Sequence, residues 1–93
     1  MTLMPVQQSE APPHYAVDRW LRRSWYRPTD GRRYQAELCQ NLFGEWVLVR
    51  EWWGVLSKKR GRMEAAFKTF EEGEASLATV TKCRQQHGYV MAE

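Results

Sequence analysis

The chain has 93 residues, of which 43% are hydrophobic and 13% aromatic, and it carries 14 basic and 11 acidic side chains for a net charge of +3. So short a chain excludes two independently folded domains, because each core would be too small to offset the entropy of ordering its backbone. Cys39 and Cys83 are too few and too far apart for a disulfide framework or a zinc motif, so no metal or other cofactor is expected.

The beginning of the chain is predicted to be a flexible tail. Residues 1–14 include three prolines and few side chains that a core would bury, so we place the single domain at residues 15–93. The tail lacks the basic start and long apolar segment of a signal peptide, and no run in the chain is apolar enough to span a membrane. We therefore expect a cytoplasmic protein that does not contact membranes.

Two stretches before residue 41 have the composition of β-strands. Residues 20–26 are rich in aromatic side chains, and Tyr34, Ala36 and Leu38 alternate with polar residues, which places these three on one buried face. Residues 27–31 separate the two stretches and contain Pro and Gly. They predict a turn, because proline fixes φ near the value that a turn needs and glycine accepts a positive φ.

A hairpin and a long third strand follow. Residues 41–44 interrupt the alternation and end in glycine, and residues 46–53 are dense in β-branched and aromatic side chains. Gly54 and Gly61 bracket a segment that is rich in lysine and arginine, which predicts an exposed basic loop. Residues 62–69 are predicted to return as a further strand.

The last part of the chain predicts a helix that packs on the sheet. Thr69 and Glu72 have the spacing of a capping box, in which each side chain accepts a hydrogen bond from a backbone N–H left free at the helix start. Leu77 and Val80 lie on one face of this helix, and Gly88 is a natural terminator. Together the elements predict an α+β fold, a small antiparallel β-sheet with one C-terminal helix packed across it.

Three segments in this order resemble the WGR domain family. They are Arg33-Tyr34, residues 41–52 with their Leu-Phe-Gly turn and Trp46, and Gly88-Tyr89. The resemblance covers about residues 20–90 and implies a small antiparallel sheet with one helix, in a stand-alone module of bacterial type. WGR domains are modules of the DNA-dependent poly(ADP-ribose) polymerases, where they help to dock a DNA end. Because the chain has no room for the polymerase catalytic domain, the resemblance implies a binding module and not an enzyme.

The motif that names this family is incomplete here. The sequence is Trp52-Trp53-Gly54-Val55, and neither way of aligning tryptophan-glycine-arginine on it places an arginine correctly. In the polymerases that arginine takes part in contacts between domains and near DNA. The same way of docking a DNA end is therefore not implied for this chain.

The tryptophan pair and the basic residues around it form the candidate nucleic-acid-binding site. Neighbouring residues of a strand point to opposite faces, so at most one of Trp52 and Trp53 belongs to the core, and the other is available to stack on a sugar or a base. Basic side chains beside it attract phosphates. The candidate residues are Arg50, Trp52, Trp53, Lys58, Lys59, Arg60 and Arg62. They predict sequence-independent binding of nucleic acid, with DNA as the expected type.

Other interpretations stay open. In one of them the outer indole is packed beneath the basic loop, and the loop is a solvated hairpin tip. An exposed tryptophan also suits a protein-protein interaction adaptor, and an open sheet edge allows a weak homodimer beside the monomer. The sequence does not decide whether the five arginines between positions 22 and 33 extend the candidate surface. Cys83 and His87 stand four apart on the helix, but two ligands do not make a structural zinc site, and no nucleophile has a recognisable base, so no catalytic residue is assigned.

Overall fold

The computed structural model of the chain describes residues 19–54 and 60–92, and these form one antiparallel sheet with one helix. Along the sheet the strand order is β4-β3-β2-β1-β5. The predicted α+β fold is confirmed. The elements are β1 (Leu21–Arg27), β2 (Arg32–Gln40), β3 (Trp46–Trp53), β4 (Arg60–Phe67), α1 (Phe70–Gln86) and β5 (Val90–Met91).

Both predicted turns between the first three strands are present. At the first, the N–H of Gly31 donates to the carbonyl of Arg27 at 2.7 Å, and Gly31 has a φ of 71°. At the second, the N–H of Gly44 donates to the carbonyl of Asn41 at 3.1 Å, and Gly44 has a φ of 81°. Both glycines adopt a backbone conformation that other residues rarely adopt, so each fixes the place where the chain reverses.

One face of the sheet forms the core under the helix. Tyr34, Ala36 and Leu38 are buried on β2 as their alternation predicts, and the register places Trp25 of β1 and Leu48 of β3 beside them. From the helix, Leu77 and Val80 complete this core. We call this side the helix face of the sheet and the other side the open face.

The helix is positioned by features at both ends and in its first turns. Thr69 accepts a hydrogen bond from the N–H of Glu72, and the Glu72 carboxylate accepts one from the N–H of Thr69, so the capping box is confirmed. A Cβ at Gly73 would lie 2.6 Å from Leu38, so the absent side chain lets the helix approach the sheet. Gly88, with a φ of 83°, ends the helix and turns Tyr89 into the core.

Two features of the sheet differ from the prediction. The fourth strand begins at Arg60, two residues earlier than predicted, because Arg60 pairs with Trp53 and belongs to the ladder and not to a loop. A two-residue strand, β5, pairs with Trp25 and Tyr26 of β1 and was not predicted. Lys58 and Lys59 of the predicted basic loop and the predicted tail at residues 1–14 lie outside the described residues.

Candidate nucleic-acid interface

The helix covers only part of its face of the sheet, and a cleft lies beyond its C-terminal end. The cleft has a volume of about 420 Å³. Four arginines contribute to its lining together with three aromatic side chains, and we call it the arginine cleft. Its arginines are Arg27, Arg32, Arg50 and Arg84, and its aromatic residues are Tyr34, Trp52 and Tyr89.

The strand register brings these side chains together. Tyr34 of β2 lies opposite Trp52 of β3, and Arg50, two residues before Trp52, therefore points to the same face. Arg27 and Arg32 face each other at the ends of β1 and β2, beside the first turn. Tyr34 and Trp52 stack with ring centroids 5.6 Å apart and planes 13° apart, so the indole is held in one orientation at the cleft wall.

A series of stacked cationic and aromatic groups connects the helix end to β3. The guanidinium carbon of Arg84 lies 4.2 Å from the Tyr34 ring centroid and 5.1 Å from that of Tyr89. The guanidinium carbon of Arg27 also lies 5.0 Å from the Tyr89 ring centroid. Because arginine is attracted to the faces of aromatic rings, this series holds two cations close together without an anion between them.

Counting carboxylates of residues 19–54 and 60–92, only Arg27 of the four arginines has an acidic partner. Arg27 donates to both oxygens of Asp30, at 3.0 and 2.7 Å. The hydrogen bond from Arg27 lowers the pKa of the Asp30 carboxyl below its ordinary value, and the same hydrogen bond raises the pKa of Arg27. The Asp30 carboxylate therefore stays ionised to a lower pH than that of an unpaired aspartate.

No carboxylate of the described residues neutralises the other three arginines. Arg50 contacts the sulfur of Met63 at 3.2 Å, and Nε of Arg84 is buried without a hydrogen-bond acceptor. Among residues 19–54 and 60–92, no carboxylate forms an ion pair with Arg32, Arg50 or Arg84. An anion in the cleft would therefore meet guanidinium groups that no described carboxylate already occupies.

Two hydrogen bonds to backbone carbonyls hold the end of the helix beside the cleft. The His87 ring contacts the carbonyl of Cys83 through Nδ1 at 2.9 Å, and since a carbonyl only accepts, Nδ1 carries the proton. The carbonyl of His87 accepts a hydrogen bond from Arg27 at 3.3 Å. Within the described part of the chain, no three histidine, cysteine or acidic side chains are grouped so that they would hold a metal ion.

The structure separates the candidate residues that sequence analysis grouped. Arg50 and Trp52 lie in the arginine cleft, whereas Trp53, Arg60 and Arg62 lie on the open face. Arg62 is neutralised there by Glu51 at 3.3 Å and Glu64 at 2.6 Å. The predicted separation of the two tryptophans onto opposite faces follows from their register and contacts.

Several residues of the arginine cleft were not among the candidates. Arg27 and Arg32 belong to the basic stretch whose location the sequence leaves open, and Arg84 lies in the predicted helix without being assigned to a site. Tyr89 belongs only to the Gly88-Tyr89 segment of the family resemblance. The available signal was the density of arginines around the first turn, but nothing local relates that turn to the end of the helix.

Comparison with known proteins gives no relative for this chain. No protein-family model, curated protein or solved structure matches it. The resemblance to the WGR domain family therefore remains a prediction from its motifs. Across residues 19–54 and 60–92, no helix is long and apolar enough to cross a membrane.

Proposed function

We propose that this chain is a non-catalytic nucleic-acid-binding module of WGR-like type, and that its arginine cleft holds the sugar-phosphate backbone. The observation that carries the proposal is the convergence of Arg27, Arg32, Arg50 and Arg84 on one cleft, where Asp30 is the only carboxylate among residues 19–54 and 60–92 that pairs with one of them. Such a group of cations, with one paired carboxylate from the described residues, favours a ligand that carries several negative charges at close spacing. A phosphate backbone has this property.

The chemistry of the cleft suits the phosphate groups of a nucleic-acid backbone. A guanidinium presents two parallel N–H donors to phosphate oxygens, and Arg32, Arg50 and Arg84 have no acidic partner that would compete for them within the described residues. Beside them, the Trp52 indole lines the cleft and is already held by Tyr34. A sugar or a base that contacts this ring would not need to order it first.

The same arrangement favours binding without base-specific readout. Arginine–phosphate contacts carry little sequence information, because every nucleotide has a phosphate. Binding should therefore depend steeply on salt concentration and weakly on base composition. Lys58 and Lys59 would add to the attraction of phosphates as the sequence predicts, although they lie outside the described residues.

The test is a fluorescence anisotropy titration of labelled single-stranded and blunt duplex DNA at low salt. Arg50→Gln and Arg84→Gln should each weaken binding by roughly tenfold, because a hydrogen bond to a charged group contributes about 1.5–3 kcal/mol. Arg62→Gln is the matched control, since it removes the same charge from a position that Glu51 and Glu64 neutralise. No binding by the wild type, or an equal loss with Arg62→Gln, would contradict the proposal.

A protein-protein interaction adaptor is the second candidate function. It is favoured by Phe43, which is 80% exposed at the tip of the hairpin between β2 and β3. An exposed aromatic side chain on a rigid turn suits insertion into a partner's pocket. If Phe43→Ser abolishes binding to an isolated partner and leaves nucleic-acid affinity unchanged, the adaptor function is favoured. If Arg50→Gln lowers nucleic-acid affinity and leaves binding to that partner unchanged, the first proposal is favoured.

A further inference from the structure

Four side chains form a continuous row across four strands on the open face of the sheet. Tyr26 of β1 lies opposite Arg33 of β2, Arg33 lies opposite Trp53 of β3, and Trp53 lies opposite Arg60 of β4. Aromatic and arginine side chains therefore alternate from strand to strand. We call these four residues the stacking row.

Two of the three neighbouring pairs in the row place a guanidinium over an aromatic ring, and all four side chains are at least partly accessible. The guanidinium carbon of Arg33 lies 5.9 Å from the Tyr26 ring centroid, and that of Arg60 lies 5.8 Å from the Trp53 ring centroid. Tyr26 is 37% exposed, Arg33 and Arg60 are exposed, and Trp53 is partly buried. In the described part of the chain, no helix covers this face, because α1 packs on the other one.

The charges around the row leave it cationic. Arg33 and Arg60 form no ion pair with an acidic side chain of the described residues. The carboxylates of the open face are engaged elsewhere: Glu37 accepts a hydrogen bond from the Trp20 indole at 2.7 Å, and Glu51 and Glu64 pair with Arg62. The row thus offers two unneutralised cations interleaved with two aromatic rings.

We propose that the stacking row binds unpaired bases of a single-stranded nucleic acid, and so makes the module select single strands over duplexes. This inference rests on the proposed function. Bases in a duplex are stacked on one another and show only their edges, whereas those of a single strand can stack on exposed aromatic side chains. Tyr26 and Trp53 are two strands apart, about 10 Å at the usual strand spacing, with Arg33 between them to contact a phosphate.

The row and the arginine cleft lie at the same end of the sheet. Three strands each give one residue to the cleft and the adjacent residue to the row, since adjacent residues of a strand point to opposite faces. The pairs are Arg27 and Tyr26, Arg32 and Arg33, and Trp52 and Trp53. A flexible single strand held in the cleft passes over this end of the sheet and reaches the row, and a stiff duplex does not.

The test compares anisotropy titrations of an oligothymidylate of about 12 nucleotides, a length within the range that single-strand-binding domains cover, with those of a blunt duplex. Trp53→Leu should weaken binding of the oligothymidylate by roughly tenfold or more and leave duplex affinity within about twofold, because stacking on an aromatic ring is lost only for unpaired bases. Trp53→Phe retains a ring and should restore most of the affinity. Tyr26→Leu should act in the same direction and is an independent variant if Trp53→Leu does not fold.

Trp20→Leu is the matched control, since Trp20 is 54% exposed and its indole contacts Glu37 outside the row. The inference is overturned if the row variants bind the oligothymidylate as tightly as the wild type, or if Trp20→Leu is equally weakened. If the wild type binds duplex and single strand equally and the cleft variants bind both less tightly, the role of the stacking row is overturned and the proposed function stays in place. Wild-type protein that binds neither overturns both.

Discussion

The indole of Trp52 lies over Gly61 on the neighbouring strand and fills the space that a side chain at position 61 would occupy. The two residues are directly paired between β3 and β4, and a Cβ built at Gly61 would overlap the indole. On its other side Trp52 stacks on Tyr34. The φ of Gly61 is not positive, so Gly61 does not serve as a turn residue here. Its role is to leave room for the Trp52 indole that lines the arginine cleft.

Gly61→Ala should destabilise the protein by about 1–3 kcal/mol, because the added methyl group has to displace a packed indole. The measurement is chemical denaturation, with tryptophan emission as a second signal of ring displacement. In a Trp52→Leu background the same substitution should cost less than about 0.5 kcal/mol, since the overlap is removed. An equal cost in both backgrounds would show that Gly61 is needed for another reason.

Inorganic phosphate should raise the Tm of the wild type more than it raises the Tm of the Arg84→Gln variant. If Arg84 helps to hold an anion in the arginine cleft, inorganic phosphate at about ten times its Kd would add about 1.4 kcal/mol, or roughly 5–10 °C in Tm. The measurement is Tm against phosphate concentration at constant ionic strength. Arg62→Gln controls for the general stabilisation by phosphate, and equal Tm increases in all three proteins would contradict an anion site.

The pair between Arg27 and Asp30 predicts a pH dependence with a defined sign. The hydrogen bond from Arg27 lowers the folded-state pKa of Asp30 below 3.8, so its contribution to stability is complete above that pH and is lost as the pH falls through the lowered pKa. Asp30→Asn should therefore lower Tm at neutral pH, and the difference from the wild type should shrink below about pH 4. A difference that stays constant or grows on acidification would contradict this account.

The capping box predicts a measurable contribution from one hydroxyl group. Thr69→Ala should lower the free energy of unfolding by about 1 kcal/mol, because the N–H of Glu72 loses its acceptor. Thr79→Ala is the matched control, since Thr79 is exposed within the helix and donates only to the carbonyl of Ala75. That change should be neutral or slightly stabilising, as alanine is the better helix former. Equal destabilisation by both would exclude a specific effect of the cap.

The fold could be predicted from the sequence because its signals are local. Alternation of Tyr34, Ala36 and Leu38 gave the buried face of β2, and Gly31 and Gly44 gave the reversals. The strand β5 gave no such signal, since a two-residue strand has no period. It is defined by pairing with β1 and by the hydrogen bond from the N–H of Ala92 to the carbonyl of Ser24 at 2.7 Å.

The candidate site was only partly predictable, for a reason of geometry. Alternation in β3 is enough to separate Trp52 from Trp53 and to place Arg50 with Trp52. It does not show that Arg84 of the helix stacks on Tyr34 of β2. That contact depends on the angle and position at which the helix crosses the sheet. The cleft is therefore a tertiary feature, whereas the stacking row depends only on strand register.

The most direct test of the central claim is the salt dependence of single-strand binding. The logarithm of the binding constant falls with the logarithm of salt concentration by about 0.7 for each phosphate contacted on a single strand. If Arg50 and Arg84 each contact a phosphate in the arginine cleft, Arg50→Gln and Arg84→Gln should each make the slope shallower by about 0.7, and Arg62→Gln should not change it. Identical slopes for the wild type and all three variants would contradict phosphate binding in the cleft.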